Sequence, residues 1–219
     1  MRCSSLLVVL AVVLSIACGG PRMREGELFA GRPSGPPSMA SMPDPDVVDE
    51  ELSPRMRRAM ELARDALDIA APEPARSRAA LDLTEWSEGA LREWLERKTA
   101  AIEAARTELD AAAEEQHRQR ILAGALVGLL YEDVLRVLRR RPMPDDLEDE
   151  PEILDVYRDS LESQARPWLE TARRAYRACA ANAREPESMR HFVAFCEARE
   201  MGLPSGMESG ESTVEVIRD

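Results

Sequence analysis

From Met56 onward, apolar positions recur every three or four residues, the spacing of one face of an α-helix. Met56, Met60, Ala63, Leu67 and Ala70 form the first stripe. Ser53-Pro54 ahead of it reads as an N-cap followed by proline at the first helical position, where the missing N–H costs no bond. This helix is expected to reach Ala71 and to stop at Pro72 and Pro74. Leu91, Leu95, Ile102, Ala105, Leu109 and Ala112 predict a second helix starting near Thr84 or Ser87, with Trp86 and Trp94 packing at its start and charges between the apolar positions. The pattern weakens across Glu114-Glu115-Gln116-His117-Arg118. It resumes with Ile121, Leu122, Leu126, Leu129, Leu130, Leu135 and Leu138, ending at Arg139-Arg140-Arg141. No Gly or Pro separates the two stretches before Gly124, so residues 85–140 are compatible with one long helix or with two.

Pro142-Met143-Pro144 breaks the chain ahead of the acidic run 145–150. Cations closing one helix and anions opening the next both suit the helix dipole, which accounts for these charges without a docking role. Leu154, Tyr157, Leu161, Ala165, Trp168, Ala172, Tyr176 and Cys179 mark the next helix, from Glu152, with a kink or restart expected at Pro167. After Ala183 a short loop leads to Ser188 as a cap, and Phe192, Phe195 and Cys196 line a final helix ended by Gly202 and Pro204. Strand patterns are absent from Val47 on. The fold class is therefore all-α, built of helical hairpins in a TPR-like or bundle arrangement after a disordered lipoprotein tether.

The amino-terminal end follows different rules. Leu6 to Leu14 is an apolar run too short for a bilayer, which needs about 20 residues, but the right length for the core of a signal peptide. Ala17-Cys18-Gly19-Gly20 resembles the bacterial lipobox, departing from it in Ser15 where Leu is usual. The resemblance implies export, cleavage before Cys18 and lipidation of Cys18. Several acyl chains make such an anchor effectively permanent, at about 0.8 kcal/mol per buried CH₂. Gly19 after the cysteine implies, by the same resemblance, the outer membrane, on its periplasmic face or the cell surface. Gly and Pro crowd the residues that follow, without an apolar period, as in a flexible tether. The expected organisation is a signal peptide at 1–17, a disordered tether at 18–46, an all-helical domain at 47–204 and a disordered tail at 205–219.

Composition then narrows the function. The formal net charge is −12, from 29 basic and 41 acidic residues, the reverse of the basic footprint that nucleic-acid binding requires. The two histidines, His117 and His191, offer little for metal or acid–base chemistry; His117 is expected in solvent and His191 as a cap or packing group. There is no glycine-rich phosphate loop, no Gly-x-Ser-x-Gly and no His-Glu-x-x-His, so neither catalytic residues nor a cofactor nor a metal is expected. Cys3 leaves with the leader and Cys18 carries lipid, which leaves Cys179 and Cys196. They lie on apolar helix faces either side of one short loop, in a compartment that permits disulfides. A disulfide is the expectation; two buried thiols, or a redox or metal site, are the alternatives.

One wider pattern runs from Leu129 to Leu203: Tyr131 and Leu135, then Arg141-Pro142-Met143-Pro144, Tyr157-Arg158-Asp159-Ser160-Leu161, Pro167-Trp168-Leu169, Ala175-Tyr176-Arg177-Ala178-Cys179 and Phe195-Cys196-Glu197. It resembles the carboxy-terminal module of tetratricopeptide-type (TPR-like) envelope lipoproteins of myxobacteria. Regular 34-residue repeats with the Trp, Gly and Tyr signature are not present. The resemblance implies stacked helix hairpins and protein interaction, with no catalytic residues. The expected function is a membrane-anchored, non-catalytic scaffold or adaptor whose partners are other envelope proteins. A pilotin or assembly lipoprotein for a secretion or outer-membrane machine is an alternative, as is a small-molecule carrier or enzyme using a pocket between helices.

Overall fold

The computed structural model describes residues 35–44, 52–73, 75, 77–147 and 149–204. The expected leader, Cys18 and most of the expected tether lie outside them, as do residues 205–219. The described residues form an all-α fold of antiparallel hairpins: α1 (Pro54–Asp68), α2 (Ala80–Trp86), α3 (Arg92–Glu115), α4 (His117–Arg139), α5 (Pro151–Ala183) and α6 (His191–Gly202). A π-helical turn at Ser87–Leu91 joins α2 to α3, and short 3-10 turns occupy Met39–Ser41, Asp145–Leu147 and Glu187–Met189.

Ser53 caps α1 as its sequence predicts: its hydroxyl accepts the Met56 N–H at 3.1 Å and donates to Gln119 Oε1 at 2.9 Å. The helix ends at Asp68, slightly before the expected Ala71. The second helical stretch begins at Ala80, earlier than Thr84. Its start is held from far away: the Ala80 N–H donates to Asp146 Oδ2 at 2.9 Å, while Arg78 pairs with Asp145 at 3.0 Å. The acidic run at 145–150 thus serves the positive end of α2 as well as opening α5. Trp94 is fully buried against the exit of α1, and Trp86 donates its indole N–H to the Glu73 carbonyl at 2.7 Å.

Residues 85–140 do not make one helix. Gln116 adopts φ −149° and ψ 147°, an extended conformation that reverses the chain between α3 and α4. The break falls where the apolar period weakens, and it needs no Gly because extended backbone is open to any residue. Arg120 Nε then donates to the Ala113 carbonyl at 3.2 Å, tying the two sides of the corner. Because α4 packs on α1, α3 and α5, it is apolar on nearly every side, with Ile121, Leu122, Leu126, Leu130, Val134 and Leu138 all buried. Gly124 and Gly128 give α5 its close approach. A Cβ on Gly124 would lie 3.2 Å from Cys179 Cβ, and one on Gly128 would fall within the Tyr176 ring.

Helix α5 continues through Pro167 without the expected restart. Its buried residues begin at Leu169. The register explains this: Gly128 meets Tyr176, the Tyr131 ring packs at a tilt on Trp168 and Arg141 reaches Gln164, so the first turns of α5 run past the end of α4. At 1.5 Å per residue, α5 is about 15 Å longer than α4. Ser188 does not cap the last helix; it sits within a 3-10 turn, and Arg190 occupies the position before His191. Cys179 and Cys196 are joined in a disulfide, with Cα atoms 6.2 Å apart, bridging α5 and α6. The tether expectation of 18–46 needs correction for part of its length. Pro37 is buried, Met39 and Met42 pack against the core, and the Asp44 carbonyl lies 2.7 Å from His191 Nε2. Prolines and methionines that lack any apolar period here supply apolar surface to the helices.

Candidate functional site: an arginine-lined cleft over two buried ionic clusters

Helix α4 carries neighbouring carboxylates, Glu132 and Asp133, which successive helical positions turn to different sides. Asp133 faces α1 and α3. It pairs with Lys98 Nζ at 2.6 Å and with Arg136 Nη2 at 2.9 Å. Lys98 is wholly buried, at 0% exposure, and its ammonium also donates to the Ala66 carbonyl at 2.5 Å. That carbonyl belongs to the last turn of α1, where the C-cap Ile69 N–H also reaches it, at a long 3.4 Å. Lys98 therefore closes the negative end of α1, and Asp133 makes its burial tolerable, since an unpaired buried charge costs several kcal/mol. In sequence, Lys98 sits four residues after Trp94 and four before Ile102, a gap in the apolar stripe. A cation at that position was the available signal.

Glu132 faces α5 and α6. Its Oε2 accepts the Tyr176 hydroxyl at 2.5 Å and its Oε1 accepts Arg199 Nη1 at 3.0 Å. Burial, then the neighbouring Glu132 charge, pushes the Tyr176 phenol well above its ordinary value, so it remains a donor. Arg199 is 2% exposed and lies over the Phe195 ring at 5.7 Å. Its Nε and Nη2 have no hydrogen-bond partner among the described residues.

Above Glu132 opens a cleft of about 370 Å³. Arg136 and Arg139 of α4 and Arg140 at its C-cap line it. Leu135, Leu203, Pro204 and Pro37 supply an apolar wall. Three elements distant in sequence meet here: the end of α4, the exit of α6 and the Gly35–Pro37 segment. Arg139 and Arg140 are exposed, and no ion pair holds either among the described residues. Arg141, next in sequence, turns away to Gln164 at 3.2 Å, and burial lowers its pKa from the ordinary arginine value.

The sequence-derived sites lie elsewhere. Cys18 is outside the described residues. Cys179 and Cys196 sit between α5 and α6 as a structural bridge. His117 is half-buried rather than solvated, with Nε2 2.8 Å from the Asn182 carbonyl, and His191 packs on Phe192. Among the described residues, no group of three or more His, Cys, Asp or Glu is arranged to hold a metal ion. None of the described helices is long and apolar enough to cross a membrane. No protein-family model, curated protein or solved structure matches the chain.

Proposed function

We propose that the protein is a lipid-anchored helical adaptor: Cys18 fixes it to the outer membrane and the helical body contacts another envelope protein without catalysing a reaction. The observation that carries this reading is the first half of α5. It projects beyond α4 and presents Ile153 at 47% and Val156 at 68% exposure, on a helix start shared with the Asp145–Leu147 turn. Leu81, also exposed, lies at the start of α2, which meets the same turn. Ile153 and Val156, three residues apart on the projecting helix, give this end of the bundle an exposed apolar pair, which supports reading it as an interaction face. Exposed Glu150, Glu152, Asp155 and Asp159 surround Ile153 and Val156 in sequence, so the fitting partner face is apolar with a basic border. The buried ionisable groups, meanwhile, are occupied with one another, Lys98 with Asp133 and Arg199 with Glu132.

A photo-crosslinking residue at Val156 should capture one envelope protein that the same residue at exposed Arg97 does not. Ile153→Asp with Val156→Asp should abolish that capture while helicity stays unchanged. Cys18→Ala should abolish metabolic labelling by a palmitate analogue and release the protein from the membrane fraction. Identical capture profiles from Val156 and Arg97 would reject the interaction face, and an unlabelled wild type would reject the anchor. A ligand-carrying role is the second reading, and the arginine-lined cleft is what favours it.

A further inference from the structure

We propose that the cleft at the end of α4 binds a phosphomonoester bearing an apolar substituent. This inference does not depend on the adaptor reading. The charge balance comes first. The chain carries a net charge of −12, yet the cleft gathers cations. Both oxygens of Glu132 are engaged, by Arg199 and Tyr176. Asp133 brings one charge against two, those of Lys98 and Arg136. Arg139 and Arg140 have no carboxylate partner among the described residues. The negative end of the α4 dipole is worth only about half a charge, too little to balance three guanidiniums. Arg136 Nε is buried without a partner as well, so the cleft holds an unused donor besides the exposed pair.

The spacing of these side chains fits one anion. Arg136 and Arg139 stand three residues apart on one side of α4, and Arg140 follows at its C-cap, so that all three line the cleft. Guanidinium donors are arranged as planar forks that match phosphate and carboxylate oxygens in pairs. A phosphomonoester carries about −1.5 to −2 at neutral pH and three acceptor oxygens, which matches Arg139 and Arg140 better than a carboxylate does. The apolar lining sets the rest of the ligand. Leu135 and Leu203, both largely buried, line the cleft together with Pro37 and Pro204. A volume of about 370 Å³ lies in the range of small-molecule sites and far exceeds a bare inorganic ion. The chemistry is shared by a soluble aryl or alkyl phosphate and by the head of a phosphatidic-acid-type lipid.

The test uses the full chain, titrated calorimetrically with inorganic phosphate, phenyl phosphate and dihexanoyl phosphatidic acid. Phenyl phosphate should bind at least about tenfold more tightly than inorganic phosphate, through burial of the ring on the leucine wall. Arg139→Gln with Arg140→Gln should weaken binding of the organic phosphates by about tenfold or more. Because both arginines are exposed, the double variant should keep its helicity and unfolding midpoint, so the loss reports the site. Tighter binding of dihexanoyl phosphatidic acid than of phenyl phosphate would assign the ligand to the lipid class; the reverse order would assign it to soluble phosphates. The proposal is overturned if neither organic phosphate saturates, if phenyl phosphate binds no better than inorganic phosphate, or if the double variant binds as the wild type does.

Discussion

Tyr176 shows how one hydroxyl can organise three helices. It belongs to α5, donates to Glu132 of α4, and shares that carboxylate with Arg199 of α6. A hydrogen bond to a charged acceptor contributes about 1.5–3 kcal/mol, so Tyr176→Phe should destabilise the protein at neutral pH by an amount of that order. The pH dependence gives a second readout. Burial and the Glu132 charge raise the folded-state pKa of Tyr176, so the unfolded chain loses this proton first as pH rises. Above about pH 10 the unfolded state then binds fewer protons than the folded one, and stability falls. Tyr176→Phe lacks this contribution. Denaturation curves at pH 7, 9 and 10.5 should show wild type and variant converging at the alkaline end; parallel profiles would mean that the hydroxyl titrates alike in both states. Lys98 makes the complementary point, because a buried ammonium is usable where a helix end and a carboxylate meet it together.

At the scale of elements, the contact of α4 with α5 depends on two positions that lack a side chain. Gly124 and Gly128 stand four apart on one face of α4. Gly costs about 1 kcal/mol relative to Ala in a helix interior, so replacing it should help wherever space allows. At Gly128 space does not allow it, because a Cβ would enter the Tyr176 ring. Gly128→Ala should therefore lower stability by roughly 1–3 kcal/mol, the cost of overpacking, and should disturb the Tyr176–Glu132 bond. Gly89 is the control, since a methyl group there would meet no atom within 4 Å. Gly89→Ala should be neutral or mildly stabilising in the same urea titration. Equal effects at both positions would show that helix propensity, not packing, governs. The two glycines interrupt the apolar run in sequence without identifying which helix they admit.

For the whole molecule, the Cys179–Cys196 bridge acts mainly on the unfolded chain. The sequence separation of 17 closes a loop whose lost entropy corresponds to about 3 kcal/mol in the chain-entropy model. Reduction, or Cys179→Ser with Cys196→Ser, should lower unfolding free energy by roughly 2–4 kcal/mol while far-ultraviolet circular dichroism below the transition stays unchanged. A larger loss accompanied by melting of α6 would show that the helix needs the bridge to dock. The core favours the first outcome, since Phe192, Cys196 and Arg199 of α6 are all buried, and Arg177 of α5 and Arg184 at its C-cap pair with Glu200 and Glu197.

The amino-acid sequence alone determined the helical class, the cap at Ser53, the stripes on α3 and α4, and the cysteine pairing. Each depends on neighbours within a few residues or across one short loop, where spacing fixes which side chains share a face. On α1 the buried face is Met56, Ala59, Ala63 and Ala66, offset from the expected Met60, Leu67 and Ala70. Tertiary structure decided the rest. Gln116 turns the chain so that α3 and α4 pack side by side, an outcome that no spacing within either helix encodes. Asp146 caps α2 from 66 residues away, and Lys98 meets Asp133 only when three helices assemble. The cleft joins α4, the exit of α6 and a proline-rich segment whose composition is that of a tether. Charges and prolines carry no periodic signal, and what they do is set by whichever distant element packing brings beside them.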